Sequence, residues 1–401
     1  MTPSSVAVVG ASLAGLAAVQ ALRDGGHDGD VVVVDPSSAL PSDRPPLSKQ
    51  VLAGEWEPDR AHQPLAPRLG DLAVDLRLGT AATALDAATR TLTLSDGSEL
   101  AADGVVLAMG ASARTLGGPD LAGVHVVRTM EDCLALRADL DAGPSRVVVI
   151  GAGFIGAEVA ATCRGRGLDV TMIEAAPVPL GRVLPGTIGG FITDLHRDHG
   201  VEVRLGVGVD GLVDDGAGRV RAVRMADGTE VPADVVVVGI GVVTNTAWLE
   251  GSGLGIDNGV VCDETCLAAL GVTAAGDVAN WMNAHYGERM RVEHWEHAIE
   301  QGEAAGRRLL AGEPEAVPFL AVPWFWSDQY DRKIQMAGRP AAGDELVIVD
   351  GSVEERRFVA AFRRGDRCTA VLGVNRPRLV IQARMKLNES LDWAPVAELF
   401  G

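Results

Sequence analysis

Residues 6–35 open with Val6-Ala7-Val8-Val9-Gly10-Ala11-Ser12-Leu13-Ala14-Gly15, continue through an alanine-rich run to Leu22, and close on Val31-Val32-Val33-Val34-Asp35. The apolar run, glycine turn, helix-forming stretch and second apolar run make one βαβ unit. In such a unit the helix N-terminus presents unpaired N–H groups and a positive dipole end to a pyrophosphate. Gly10 lets the chain turn and Gly15 lets the helix lie close to the strand, whereas Ser12 stands where a middle glycine is usual and brings more bulk toward the phosphate. Asp35, 20 residues after Gly15, is placed to accept from a ribose hydroxyl.

The same grammar returns about 140 residues later. The apolar run Val147 to Ile150 meets Gly151-Ala152-Gly153-Phe154-Ile155-Gly156, a helix follows to about Gly167, and the strand Val170 to Ile173 ends at Glu174. This copy has all three glycines and an acidic residue 18 positions after the last of them. Each copy is trailed by a matching segment. Asp96-Gly97-Ser98-Glu99-Leu100-Ala101-Ala102-Asp103, leading to the strand Val105 to Ala108 and Gly110, is echoed by Asp227-Gly228-Thr229-Glu230-Val231-Pro232-Ala233-Asp234. The repeat predicts two duplicated dinucleotide-binding domains. Two dinucleotides on one chain point to hydride transfer between a tightly held flavin and an exchangeable nicotinamide.

Composition bounds the remaining possibilities. At 401 residues the chain is too long for one ordinary core, and its 47% hydrophobic content excludes a disordered class. A formal charge of −19 argues against nucleic acid. The first strand at Val6 leaves no room for a signal peptide and no run approaches a membrane span, so a soluble, cytoplasmic protein is expected. Five scattered cysteines without a CxxC pair read as buried or idle thiols, and no metal site is expected. Residues 319–401 carry 12 Lys and Arg against 11 Asp and Glu, so the whole net negative charge lies upstream.

Four further segments hold candidate residues. Pro41 to Lys49 is a proline-stiffened loop that holds Arg44 and Lys49 at set positions, in a chain with only two other lysines, Lys333 and Lys386. Asp277 follows Gly276 at a strand end, before an expected polar loop, where a carboxylate reaches a ribityl or ribose hydroxyl. Trp295 opens a helix whose N-terminus suits the negative charge of a reduced flavin ring. From Phe319 the pattern changes to short strands, Lys333 to Met336, Glu345 to Val349, Phe358 to Phe362 and Thr369 to Val374, with a hairpin turn expected at Asp350-Gly351 and a helix from about Arg378 to Asn388.

Together these segments resemble the FAD-dependent ferredoxin reductases of cytochrome P450 and ring-hydroxylating dioxygenase systems. The marks are Arg44-Pro45-Pro46-Leu47-Ser48-Lys49, Val127 to Asp132, the second fingerprint running on into Ala157-Glu158-Val159-Ala160, Gly239-Ile240-Gly241, Gly276-Asp277, and Trp324 to Tyr330. A flavin disulfide reductase would carry a cysteine pair where this chain has Arg44 to Lys49. The resemblance implies FAD contacts at Gly10, Ser12, Leu13, Ala14, Gly15, Asp35, Arg44, Lys49, Ala82, Ala108, Gly110, Arg128, Gly276, Asp277 and Trp295. It implies NADH contacts along Gly151, Gly153, Phe154, Ile155 and Gly156, at Arg182 and at Gly239, Ile240 and Gly241, with Glu158 near the nicotinamide and Glu174 on the adenine ribose. Lys49, Glu158 and Trp295 are the residues expected to serve the reaction.

The expected architecture is α/β. Two Rossmann-like domains, for FAD (1–114 and 247–318) and NAD (115–246), precede a C-terminal α+β interface domain (319–401). The expected partner is a small iron-sulfur ferredoxin docking near that last domain, with Arg332, Lys333 and Arg339 offering positive charge and Arg307 and Arg308 extending it. The alternatives are an NADH oxidase or peroxidase, disfavoured by the lack of any cysteine before Cys133, and a redox signalling flavoprotein resembling apoptosis-inducing factor.

Overall fold

The computed structural model describes residues 3–181 and 184–401, apart from the side chains of Pro67 and Arg68. The chain divides into two compact units, Met1–Asp43 with His62–Ser112 and Val243–Pro323, and Arg44–Ala61 with Ala113–Val242 and Trp324–Gly401.

In the first unit a six-stranded sheet runs Leu267–Ala269, Val272–Ala274, Gly104–Leu107, Ser5–Val9, Asp30–Asp35, Asp75–Leu78, with all neighbours parallel except the first pair. Alternate residues of the central strand serve two cores, as the period of a strand requires. Val6 and Val8 pack with Ala14, Ala18 and Leu22 of helix Leu13–Asp24 and Ala305 and Leu309 of helix Trp295–Leu310. Ala7 and Val9 face Leu85, Leu92 and Leu94 of a three-stranded antiparallel sheet, together with Trp281. The two helices approach closely because small residues line their seam. A Cβ on Gly302 would lie 2.2 Å from the Ala14 carbonyl oxygen, and one on Gly306 would lie 2.5 Å from that of Ala18. Backbone atoms cannot swing aside, so Gly302→Val is expected to cost about 1–3 kcal/mol. Thermal unfolding should show a melting point lower by a few degrees; an unchanged value would contradict this account of the seam.

The second unit repeats the plan. Its parallel sheet runs Glu202–Leu205, Asp169–Glu174, Arg146–Ile150, Val235–Val238, Val124–His125. Val147 and Val149 pack with Val159, Ala160 and Cys163 of helix Phe154–Gly165, while Val148 and Ile150 face Val223, Met225 and Val231 of a second three-stranded sheet. The trailing turns are duplicated atom for atom. Asp96 Oδ1 accepts from the amide and hydroxyl of Ser98 at 2.9 and 2.7 Å, and Asp227 Oδ1 accepts from the same groups of Thr229 at the same distances.

Leu47, Val51 and Leu52 share the second unit's core with Cys133, Leu136 and Val159, which holds residues 44–61 in that unit. The Thr162 hydroxyl donates to the Ser48 carbonyl at 2.8 Å, and Arg166 donates to that of Leu52 at 2.9 Å. Val127 to Asp132 opens helix Met130–Asp141 through a capping box in which Thr129 and Asp132 exchange hydrogen bonds.

The C-terminal segment forms a five-stranded antiparallel sheet, Trp324–Gln329, Arg332–Gly338, Arg367–Val374, Arg357–Arg364, Glu345–Ser352. Its Ile334, Met336, Phe358, Phe362 and Leu372 share a core with Ile188, Phe191, Ile192 and Leu195 of helix Gly186–Asp198. The hairpin turn expected at Asp350-Gly351 lies instead at 353–356. Asp350 and Gly351 stay in the strand, paired with Val359 and Phe358 beyond a bulge after Ile348. Gly351 is needed because its φ is +67° and a Cβ there would sit 2.1 Å from the Arg357 carbonyl. The polar loop expected after Asp277 is also absent: a single turn, Gly276–Val278, runs straight into strand Ala279–Asn283, drawn inward by Val278, Ala279 and Trp281. Among the described residues no helix is long and apolar enough to cross a membrane.

Candidate functional site

Both glycine turns are built by the same contacts. Gly10 has φ +109° and its missing Cβ would meet the Ala108 carbonyl oxygen at 2.4 Å; Gly151 has φ +100° and would meet that of Gly239 at 2.3 Å. Gly15 and Gly156, one helical turn on, would clash with the carbonyl oxygens of Gly10 and Gly151 at 1.8 and 2.1 Å. Only glycine permits this strand–turn–helix packing at all four positions.

The acidic residues close the constellation in matching fashion. Asp35 Oδ2 accepts from the Ala11 amide at 2.8 Å and Oδ1 from the Ser37 amide at 2.9 Å. Glu174 Oε2 accepts from the Ala152 amide at 3.0 Å and Oε1 from the Ala176 amide at 2.9 Å. Each carboxylate is thereby fixed beside the N-terminus of its helix, Leu13–Asp24 or Phe154–Gly165.

Ser12 and Gly153 hold corresponding N-cap positions with φ of −89° and −72°, and a Cβ at Gly153 would meet nothing within 4 Å. The middle position therefore needs no glycine for the chain's own sake, which explains why Ser12 is accommodated. The space at Gly153 is open, and the amides of a helix start beside such a space suit a pyrophosphate.

Around the first turn the structure gathers most of the residues expected there. Leu13 and Ala14 begin the helix. Gly276, at φ +75°, faces Ala14, whose Cβ lies 3.0 Å from where a Cβ on Gly276 would sit, and donates its amide to Gln301 Oε1 at 2.9 Å. Asp277 is buried beside it, and its carbonyl accepts from Arg291 at 3.0 Å. Trp295 is the first residue of its helix and donates Nε1–H to Asp43 Oδ1 at 2.7 Å, which fixes the indole. Gly110, at φ +62°, follows strand Gly104–Leu107, and Ala82 begins strand Ala82–Asp86.

In the second unit Gly239 donates to the Ile150 carbonyl at 2.7 Å, with Ile240 and then Gly241, at φ +96°, following. Ile155 is half exposed, and Phe154 lies 4.5 Å from the Phe325 ring. Glu158, one turn further along the helix, is 3% exposed. Its Oε2 accepts from Lys49 Nζ at 2.7 Å and Ser48 Oγ at 2.5 Å, and its Oε1 from Ser327 Oγ at 2.8 Å. Lys49 is no surface lysine: its side chain is 12% exposed. Arg44 precedes the turn Pro45–Ser48, and the Arg128 amide donates to the capping Asp132 at 3.1 Å. Arg182 lies outside the described residues.

The cations expected at the docking surface fare unevenly. Arg308 is buried, donating to Glu313 at 2.5 Å and to Thr265 at 2.8 Å, because it lies on the inward face of its helix; it is withdrawn from any surface patch. Arg307 stays exposed beside Glu303, Arg332 pairs with Asp331 and Lys333 with Asp328. The sequence reading missed Asp43, Ser48, Ser327, Gln329 and His196. Ser48, Ser327 and Gln329 stand inside the segments already singled out, and membership of those segments was the available signal.

All five cysteines are free and buried. Burial pushes the Cys133 thiol up to about 11 and those of Cys163, Cys262 and Cys368 to about 12, so none is poised as a thiolate. Among the described residues no group of His, Cys, Asp and Glu is arranged to hold a metal ion.

Comparison with known proteins agrees with this chemistry. Residues 4–302 match the pyridine nucleotide-disulphide oxidoreductase family, and residues 324–397 match a reductase C-terminal family. The chain is 36% identical to rhodocoxin reductase of Rhodococcus erythropolis, over 98% of this chain and 91% of that one. It is 34% identical to putidaredoxin reductase of Pseudomonas putida, over 98% and 93%. A chain in the crystal structure of the covalent putidaredoxin reductase–putidaredoxin complex superposes with a TM-score of 0.91 at 33% identity, covering 99% of this chain and 98% of that one. The chain therefore belongs to the pyridine nucleotide-disulphide oxidoreductase family, within the FAD-dependent ferredoxin reductases of cytochrome P450 and dioxygenase systems.

Proposed function

We propose that this chain is an NADH-dependent ferredoxin reductase that carries FAD and supplies single electrons to an iron-sulfur ferredoxin of an oxygenase system. The observation that carries the reading is the pair of equivalent glycine-turn and carboxylate constellations, each complete in its own unit. The turn at Gly10, with Asp35, Gly276 and Asp277, takes FAD, and the turn at Gly151, with Glu174, takes NADH. Bound flavin supplies the two-to-one electron conversion, accepting a hydride and releasing electrons singly. The chain's own residues do the rest. Amides at the helix starts bind phosphates, Asp35 and Glu174 orient ribose, and the positive end of helix Trp295–Leu310 favours developing negative charge. Lys49 and Glu158 hold an ion pair that serves the hydride step. Residues 1–114 with 247–318, 115–246 and 319–401 correspond to FAD, NAD and interface functions. The protein works in the cytoplasm, where NADH is supplied.

The ferredoxin docks on the C-terminal segment. An acidic partner is repelled by the strongly negative remainder of the chain and meets near-neutral charge only in residues 319–401. Rim charges act on encounter rate and are screened by salt. Ferredoxin reduction is therefore expected to fall severalfold as ionic strength rises. Arg332→Glu should lower it while NADH-to-ferricyanide turnover stays near wild type. A salt-independent rate, or equal losses with both acceptors, would place the docking surface elsewhere.

A further inference from the structure

Glu158 is the end of a buried chain of hydrogen bonds whose direction can be worked out link by link. A carboxylate only accepts, so Ser327 Oγ donates its proton to Glu158 Oε1 at 2.8 Å. With that proton committed, Ser327 Oγ accepts from Gln329 Nε2 at 3.1 Å, which turns the other end of the amide, Oε1, toward His196 Nε2 at 3.2 Å. His196 must then carry its proton on Nε2. Burial holds the ring neutral, pushing its pKa down to about 4, so Nδ1 is bare and accepts from the Tyr330 hydroxyl at 2.9 Å. Every donor in the series points toward Glu158.

The series is closed to solvent along its length: Ser327, Gln329 and His196 are each 0% exposed. Tyr330 begins the tight turn between strands Trp324–Gln329 and Arg332–Gly338 and sits at φ +55°, a left-handed conformation unfavourable for a residue with a Cβ. Its ring stacks on His199 at 3.6 Å with the planes 8° apart. A strained tyrosine is thus held where its hydroxyl meets His196. An amide in the middle prevents simple proton relay, so the series fixes an orientation and does not conduct protons.

We infer that Ser327, Gln329 and His196 are positioning residues for Glu158, a one-directional hydrogen-bond array that occupies Oε1 and leaves Oε2 for Ser48 and Lys49. The array links the C-terminal sheet to the helix that follows the second glycine turn. Its consequence for the reaction rests on the proposed role of the Lys49–Glu158 pair. Its consequence for Lys49 itself does not.

The test uses the FAD-loaded protein and two readouts. In anaerobic stopped flow, Ser327→Ala and Gln329→Met should each lower the limiting rate of flavin reduction by NADH about tenfold, with NADH affinity within about twofold of wild type. Ser327→Thr, which keeps the hydroxyl, should restore the rate. Independently of turnover, nitrogen-15 lysine spectra of the oxidised protein contain only three ammonium signals, and Lys49→Met identifies the one from Lys49. Exchange of its protons with water should be faster in Ser327→Ala and Gln329→Met than in wild type and slow again in Ser327→Thr. Unchanged Lys49 exchange in both variants would overturn the array. Should Lys49→Met reduce at the wild-type rate while exchange in the variants is faster, the array stands and the catalytic reading of the pair fails. A slow Lys49→Met beside wild-type rates and exchange in Ser327→Ala and Gln329→Met would assign the array a packing role only. Gln329→Met, which keeps side-chain volume, decides the matter if Ser327→Ala does not fold.

Discussion

Lys49→Met is expected to slow flavin reduction by NADH about a hundredfold while leaving the dissociation constant for NADH near its wild-type value. Lys49 Nζ is 2.7 Å from Glu158 Oε2, with the two side chains 12% and 3% exposed. Removing one partner of a buried ion pair leaves the other charge uncompensated, a penalty of about 3–5 kcal/mol. Ser48 and Ser327 still donate to Glu158, so part of that penalty is relieved; about 2.7 kcal/mol at the transition state corresponds to the hundredfold loss. NADH affinity is spared because the phosphate and ribose contacts proposed above lie at the Gly151 turn and Glu174, which the substitution does not touch. Anaerobic stopped flow separates the two quantities, and a Lys49→Met protein with the wild-type reduction rate would remove the pair from the mechanism.

The second large effect is discrimination between nicotinamide cofactors. Glu174 is held at both oxygens, by the amides of Ala152 and Ala176, which fixes its carboxylate at the proposed ribose position beside the turn. A 2′-hydroxyl donates to it, whereas a 2′-phosphate brings like charge against like. The next residues, Ala175 and Ala176, offer no arginine to neutralise it. The clash amounts to a few kcal/mol, on the order of a hundredfold or more in kcat/KM in favour of NADH. Glu174→Ala should erase much of this ratio, chiefly by improving NADPH. Equal kcat/KM for the two cofactors in the wild-type protein would contradict the assignment.

The duplicated βαβ units were legible because the constraints that make them are local. Gly15 and Gly156 are each required by a backbone clash five residues away, Gly10 and Gly151 turn the chain at positive φ, and Asp35 and Glu174 follow at fixed strand lengths. The C-terminal sheet was legible in its alternation but not in its partner. Ile188, Phe191, Ile192 and Leu195 form a helical stripe, and nothing in that stripe says that Ile334 and Phe358 cover it. Asp350-Gly351 has turn composition, yet the glycine serves a bulge, a choice set by cross-strand register and invisible to local pattern. Arg308 was misjudged for a related reason: which side of a helix faces inward depends on Thr265, 43 residues away. The partners of Glu158 come from residues 48 and 327, brought together only by the fold.

The central claim is most directly tested by mixing the NADH-reduced protein, in stopped flow, with an oxidised iron-sulfur ferredoxin in one experiment and with air-saturated buffer in another. Fast reoxidation by ferredoxin, one electron per encounter, and much slower reoxidation by oxygen are expected, consistent with five buried thiols and none activated beside a flavin. Oxygen outrunning ferredoxin, or a long-lived charge-transfer complex that neither acceptor discharges, would contradict that claim.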